Sequence, residues 1–127
     1  MNREIKQKIK EFLEKLRDIE YFSRIEFVII YGSSLGSYHL DDSDIDICVY
    51  INDKSENLSR IRLNLIKSFS SEFDIQVYQL LPLYIQIEVL KGEILYVKDL
   101  DRMYQIAYDT LNEFEDFYPY YLDYING

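Results

Sequence analysis

The sequence predicts an α+β fold, a small mixed β-sheet with helices packed on one face, from two observations. Helical and strand-like patterns alternate along the chain, because apolar residues recur every three or four positions in some segments and every second position in others. The composition, with 48% hydrophobic and 29% charged residues and only 4 Gly and 2 Pro, suits a packed core and excludes disordered and collagen-like classes. We therefore expect residues 1–127 to form a single domain.

The first half of the chain predicts one helix and two strands. An amphipathic stripe of apolar residues indicates a helix over about residues 2–20. The apolar run IEFVIIY, residues 25–31, stops at Gly32 and is typical of a buried strand. Residues 44–51 alternate in direction, so that one face carries polar and small side chains and the other only branched ones. The polar and small face consists of Asp44, Asp46, Cys48 and Tyr50.

The middle of the chain predicts a helix followed by a third strand. Asp53 and Glu56 match a capping box, and helical spacing then continues to about residue 70. The strand begins at Phe73, with residues 73, 75 and 77 opposed to residues 74, 76 and 78. Asp74 therefore has the polar parity of the preceding strand.

The last part predicts two helices separated by a short edge strand. Pro82 suits the first turn of a helix that ends near Gly92, where we expect a left-handed cap. Residues 94–97 suit the edge strand. Asp99 or Asp101 would cap a final helix that ends before Pro119.

Charge and cysteine content limit the classes of function. The chain has 14 Lys and Arg against 23 Asp and Glu, a formal net charge of -9, which opposes nonspecific binding to nucleic acid. The single cysteine, Cys48, cannot form an intramolecular disulfide, and we expect a cytoplasmic location. The charged N-terminal segment and the strand-sized apolar runs predict neither secretion nor membrane insertion.

Acidic residues and a Gly-Ser turn form the candidate site. Gly32 and Ser33 follow a buried strand, where backbone N–H groups and a hydroxyl, with Ser34 as a further donor, can cradle phosphate. Asp44 and Asp46 are two positions apart on a strand, so both carboxylates lie on one face about 6.5 to 7 Å apart.

Such a pair of carboxylates suits a hard cation such as Mg²⁺. If the second and third strands are neighbours, Asp74 joins the pair, and three carboxylates suit two metal ions in nucleotidyl transfer. The alternative is an ordinary loop with Asp44 as a strand cap and Asp74 as a solvent-facing residue. That alternative does not explain why Asp46, a carboxylate, stands inside an apolar strand.

These motifs resemble the DNA polymerase beta-like nucleotidyltransferase superfamily and, within it, the minimal nucleotidyltransferases (MNT), the antitoxins of HEPN/MNT toxin-antitoxin pairs. The resemblance covers nearly the whole chain. It is carried by Tyr31-Gly32-Ser33, Gly36, Ser43-Asp44-Ile45-Asp46-Ile47 and Phe73-Asp74-Ile75.

The resemblance implies a polymerase beta-like nucleotidyltransferase fold and a Mg²⁺-dependent transfer of AMP from ATP. Gly32 and Ser33 would bind the ATP phosphates, Asp44 and Asp46 would be metal ligands, and Asp74 would be the third carboxylate. The acceptor would be a tyrosine hydroxyl of a cognate HEPN ribonuclease toxin, which the modification neutralises within a hetero-oligomer.

The loop after Gly-Ser departs from the family pattern. Many MNT proteins have arginines there, whereas this chain has Ser34-Leu35-Gly36-Ser37. Fewer cations would therefore face the triphosphate. Cations from elsewhere are the candidates to replace them, namely Arg60, Arg62 and Lys54.

The C-terminal segment, residues 114–127, suits either a partner-docking tail or a helix that packs back on the sheet. Six aromatics occur in FEDFYPYYLDY, residues 114–124, interleaved with acidic residues. Two rival functions stay open: an antitoxin that occludes its toxin without chemistry, and nucleotidyl transfer to a small-molecule hydroxyl such as that of an aminoglycoside.

Overall fold

The fold is α+β, as predicted. The computed structural model describes residues 3–32 and 45–126. Within them the helices are α1 (Arg3–Arg17), α2 (Ser55–Ser68), α3 (Leu83–Leu90) and α4 (Leu100–Asn126). The strands are β1 (Ile25–Tyr31), β2 (Ile45–Ile51), β3 (Phe73–Val77) and β4 (Glu93–Val97).

The strands form one mixed sheet in the order β3-β2-β1-β4. The β1 strand pairs antiparallel with both β2 and β4, whereas β2 and β3 are parallel neighbours joined through α2. The predicted edge strand at residues 94–97 is confirmed as β4. The condition under which Asp74 could join the carboxylates of β2, that β2 and β3 are adjacent, is met.

Two apolar clusters lie on opposite faces of the sheet. On one face, branched residues of β1, β2 and β3 form one buried cluster with α1 and α2, which includes Val28 and Ile47 of the sheet and Phe12 and Leu65 of the helices. On the other face, Phe27 and Cys48 belong to a cluster with Val89 of α3 and Ile106 of α4. The sheet therefore has helices over one face, as predicted, and α3 and α4 cover part of the other.

The predicted capping box of α2 is wrong. The N-cap residue is Lys54, and its side chain makes no capping hydrogen bond. The Asp53 carboxylate instead accepts hydrogen bonds from the Arg24 guanidinium at 2.7 Å and from the Asn57 side chain at 3.0 Å. A contact with a residue distant in sequence thus replaces the local pattern.

The predicted left-handed cap at Gly92 is also wrong. Among the described glycines, only Gly32 has a positive φ. Gly92 is needed for a different reason, since a Cβ there would lie 2.3 Å from the backbone oxygen of Ile30. The start of β4 therefore approaches β1 more closely than a side chain allows.

The final helix does not end before Pro119. It continues through this proline to Asn126 and has 27 residues. Pro119 is exposed, so water can hydrate the carbonyl that loses its helical partner to the proline ring. None of the helices in residues 3–32 and 45–126 combines the length and the apolar character needed to cross a membrane.

Candidate functional site

Two carboxylates lie side by side at one end of the sheet. Asp46 of β2 and Asp74 of β3 are directly paired in the parallel ladder, and both are partly buried. Adjacent strands are about 4.8 Å apart, and paired residues of parallel strands point to the same face. Because Ile45 and Ile47 belong to the cluster beneath α1 and α2, the two carboxylates lie on the opposite face.

Gly32 brings the end of β1 against one of these carboxylates. Its φ is 71°, in the left-handed region, and a Cβ at this position would lie 2.6 Å from Oδ2 of Asp46. A side chain larger than hydrogen would therefore both strain the backbone and displace the carboxylate. Glycine is required here by both the turn and the neighbouring acid.

Gln76 fixes the second carboxylate. Its Nε2 donates a hydrogen bond to Oδ1 of Asp74 at 2.9 Å, since residues two apart on a strand share a face. The alternation of β3 predicts Gln76 on the polar side, but we predicted no function for it. The sequence feature that indicates this contact is an amide side chain two positions after a predicted metal ligand on the same strand.

Tyr31 is, after Gln76, the second residue of this site for which we predicted no function. It pairs with Asp46 across the antiparallel ladder of β1 and β2. Burial, together with the neighbouring Cys48 and the carboxylates of Asp46 and Asp74, raises the pKa of the Tyr31 phenol well above its ordinary value. The phenol therefore stays protonated near neutral pH and remains a hydrogen-bond donor beside the acidic pair.

Two of the three candidate cations have assigned contacts. The Nε of Arg62 donates a hydrogen bond to the backbone oxygen of Ile75 at 3.0 Å, and this charge slightly opposes the rise in the pKa of Tyr31. Arg60 instead donates to the Asn57 side chain on the exposed surface. Of these two arginines, Arg62 is therefore the one that contacts β3.

The remaining predicted site residues, Ser33, Ser34 and Asp44, lie outside the described residues. In the two described ranges, no three His, Cys, Asp or Glu residues form a group that could hold a metal ion. Asp46 and Asp74 nevertheless offer adjacent carboxylate oxygens, the donors that Mg²⁺ prefers. The donor set thus fits a divalent cation, and the third carboxylate remains the one predicted at Asp44.

Comparison with known proteins points to a single family. The family model described as "Polymerase beta, Nucleotidyltransferase" matches residues 7–101. A relative from Methanocaldococcus jannaschii, named "Putative protein adenylyltransferase", is 30% identical over 70 residues. The match covers 55% of this chain and 53% of the relative, so the chain spans about half the length of this curated relative.

Chains in solved structures of toxin-antitoxin complexes have the same fold as this chain. A toxin-antitoxin structure with AMP-PNP matches with a TM-score of 0.70 and 20% identity, over 93% of this chain and 95% of that chain. The structure of a tri-AMPylated Shewanella oneidensis HEPN toxin in complex with its MNT antitoxin matches with a TM-score of 0.66 and 18% identity, over 95% of both chains. At this level of identity the likeness establishes the fold.

Proposed function

Since the chain belongs to the polymerase beta nucleotidyltransferase family, we propose that it transfers AMP from ATP to a hydroxyl group of a partner protein. One observation supports this proposal most directly: Asp46 and Asp74 are paired on adjacent strands, and Gly32 lies against Asp46. Carboxylates beside a side-chain-free turn leave room for a triphosphate that approaches the backbone closely.

The transfer forms a bond between the acceptor oxygen and the α-phosphorus of ATP. It breaks the bond between the α-phosphorus and the oxygen that leads to the β-phosphate, and pyrophosphate leaves. We assign Asp74 as the general base that takes the acceptor proton. Gln76 holds Oδ1 of this carboxylate, which orients Oδ2 for that role.

Asp44, Asp46 and Asp74 are the residues that would hold Mg²⁺, which supplies positive charge to the triphosphate and to the leaving pyrophosphate when bound. Ser33 and Ser34 would donate hydrogen bonds to the phosphates. The protonated Tyr31 phenol beside Asp46 would donate a further hydrogen bond without adding negative charge.

We further propose that the partner is a HEPN-type toxin, that the acceptor is a tyrosine and that the two chains form a hetero-oligomer. The names of the matched proteins support this: one relative is named a protein adenylyltransferase, and one solved complex contains an AMPylated HEPN toxin with an MNT antitoxin. In this proposal the chain is an antitoxin that neutralises its toxin covalently.

The test combines the purified chain with a purified HEPN-type toxin, Mg²⁺, and ATP labelled at the α-phosphate. We expect label on the partner, on a tyrosine identified by mass spectrometry. Asp46→Asn and Asp74→Asn should each lower the transfer rate by at least about 100-fold, the lower end of the range for losing a catalytic acid-base group. Asp18→Asn, at an exposed position after α1, is the matched control and should keep the rate.

Transfer that survives both site substitutions would contradict the assigned site. A partner that is neutralised but carries no label would contradict the chemistry. That second result would favour the rival function of non-catalytic occlusion, for which the exposed rings of α4 are the supporting observation. Under occlusion, Asp46→Asn would still neutralise the toxin.

A further inference from the structure

One side of α4 has a heptad pattern that its own domain leaves exposed. Tyr104, Leu111, Tyr118 and Ile125 are spaced seven residues apart and have exposed fractions of 61, 49, 43 and 53%. Apolar or aromatic residues stand three positions after the first three of these, and one more precedes the set. They are Ala107, Phe114, Tyr121 and Leu100.

We call these eight positions the α4 seam. Apolar residues alternating at spacings of three and four over several heptads are typical of a helix that packs lengthwise against another helix. The seam extends over about 38 Å at 1.5 Å per residue. It is therefore long enough to accept a whole partner helix.

The α4 seam is distinct from the residues that attach α4 to its own sheet. The buried residues of α4 are Met103, Ile106 and Thr110, which lie on a neighbouring side of the helix. Among the described side chains between Thr110 and residue 126, every one is partly or largely exposed. Pro119 directly follows Tyr118 and faces away from the seam, so the ring does not obstruct it.

Charge indicates the kind of helix that would pack there. Residues 99–127 carry seven Asp or Glu and one Arg, a net charge of −6, and Arg102 is that single cation. Asp101 and Glu115 occupy the positions that flank a heptad seam, and both are exposed. Flanking positions set the choice of partner in helix pairs by charge complementarity, so the matching flanks are basic.

A second copy of this chain is a poorer match. Two α4 helices would bring two strongly acidic surfaces together with no Lys or Arg after position 102 to compensate them. The basic surface of the chain is on α1, which has six Lys or Arg. However, α1 contributes none of the exposed large hydrophobic residues among the described residues, so it offers no apolar match.

We propose that the α4 seam is the docking surface for a helix of the acceptor protein, and that this helix has Lys or Arg at its flanking positions. This inference rests on the proposed function only in identifying the partner as the acceptor. Docking along α4 would supply binding energy from residues outside the acidic site and hold the acceptor near Asp46 and Asp74.

The test measures, by calorimetry, the Kd between the purified chain and the same HEPN-type toxin that is used as the acceptor in the transfer assay. Tyr118→Ala should weaken binding at least about tenfold, as expected for a central aromatic of an interface. Tyr120→Ala, the matched control, removes the same side chain two positions away, off the seam and 70% exposed. It should change the Kd less than about twofold. Circular dichroism confirms that both variants fold.

A second pair of variants separates flanking charge from total charge. Asp101→Lys with Glu115→Lys and Asp109→Lys with Asp116→Lys change the net charge equally, but only the first pair flanks the α4 seam. We expect the flanking pair to weaken binding several-fold more than the other pair. Equal effects of the two pairs would overturn the assigned basic flanks.

The failure of this inference can be told apart from failure of the proposed function. Asp46→Asn should lower the rate of AMP transfer at least about 100-fold and leave the Kd unchanged, because Asp46 is not a residue of the α4 seam. AMP transfer with a Kd that is insensitive to Tyr118→Ala would overturn the docking surface alone. Seam-dependent binding without AMP transfer would overturn the proposed function alone. Sedimentation could instead show that the chain forms a dimer that Tyr118→Ala dissociates. This result would overturn the partner helix, because the occupant of the α4 seam would be a second copy of the chain.

Discussion

Two glycines show how single residues control this structure for different reasons. Gly32 has a φ of 71° and lies against the carboxylate of Asp46, whereas Gly92 lies against the backbone oxygen of Ile30. A carboxylate can move when it is displaced, but a backbone oxygen in the centre of a sheet cannot. Substitution at the two positions should therefore affect different properties of the protein.

Gly32→Ala should impair the site more than the fold. The left-handed backbone costs an alanine about 1 to 2 kcal/mol, and the methyl group displaces Oδ2 of Asp46 from its position. We expect the free energy of unfolding, measured in urea, to fall by about that amount. The rate of AMP transfer should fall by at least about tenfold, since small displacements of reacting groups are costly.

Gly92→Ala is the comparison. Its Cβ would lie 2.3 Å from a backbone oxygen and 2.8 Å from Cγ2 of Ile29, so β4 must shift away from β1. We expect a larger loss of stability than for Gly32→Ala and little change in the rate per folded molecule. The reverse order of stability losses would show that the carboxylate of Asp46 is the less movable neighbour.

Residue-level reasoning from the sequence found the acids but not their neighbours. The two-residue alternation gave Asp46 and Asp74 the same polar parity on their strands, which needs only local spacing. Their meeting on one face was predicted only on the condition that β2 and β3 are neighbours, which the sheet meets. The contribution of Tyr31 depends on which residue lies opposite it in the assembled sheet, a pairing that local spacing does not contain. Gln76 lies two positions after Asp74 on the same strand, so local spacing placed it correctly, but we predicted no function for it.

At the scale of elements, strands and helices were predicted well in their interiors and poorly at their ends. The β1 strand matches its predicted range of residues 25–31 because an apolar run followed by glycine leaves little choice. The start of α2 and the end of α4 were wrong, because Asp53 contacts Arg24 and because exposed helix tolerates Pro119. Element ends depend on tertiary contacts and solvent, which local pattern does not contain.

The start of α4 offers a direct test of helix capping. Of the two aspartates that we predicted as candidates, Asp99 accepts hydrogen bonds at Oδ1 from the backbone N–H groups of Asp101 and Arg102, at 3.0 and 3.3 Å. Asp99→Ala should therefore lower the free energy of unfolding by about 1 kcal/mol, the usual cost of losing an N-cap. Thermal or urea unfolding measures this loss.

Asp101→Ala is the matched control because the two residues have the same side chain and both are exposed. Asp101 lies in the first turn, where an exposed acid interacts with the helix dipole, an effect worth a few tenths of a kcal/mol. An Asp101→Ala loss equal to or larger than that of Asp99→Ala would contradict the assignment of Asp99 as the cap.

At the scale of the whole molecule, the second apolar cluster joins the sheet to α3 and α4 around a buried tyrosine. Tyr78 follows β3 and is 2% exposed. Its hydroxyl donates to Oγ1 of Thr110, since Thr110 itself donates to the backbone oxygen of Ile106. A hydrogen bond that needs the protonated phenol therefore helps to hold α4, and hence the α4 seam, together with the apolar contacts of Met103 and Ile106.

This dependence predicts how stability changes with pH. Burial raises the pKa of Tyr78 from 10.0 to about 12. Below pH 10 the phenol is protonated in both the folded and the unfolded chain, and its contribution to stability is complete. Between pH 10 and about 12 only the unfolded chain releases the proton. The free energy of unfolding should therefore fall as the pH rises through this range.

Urea unfolding across this pH range, in the chain and in two variants, tests the assignment to Tyr78. Tyr78→Phe should reduce the slope of stability against pH, because it removes the titrating phenol. The slope should not vanish, since burial also raises the pKa of Cys48 and of Tyr31. Thr110→Val removes the same hydrogen bond but keeps the phenol, so it should lower stability at neutral pH and retain the slope. If Tyr78→Phe and Thr110→Val gave the same slope, the alkaline loss of stability would arise from another group.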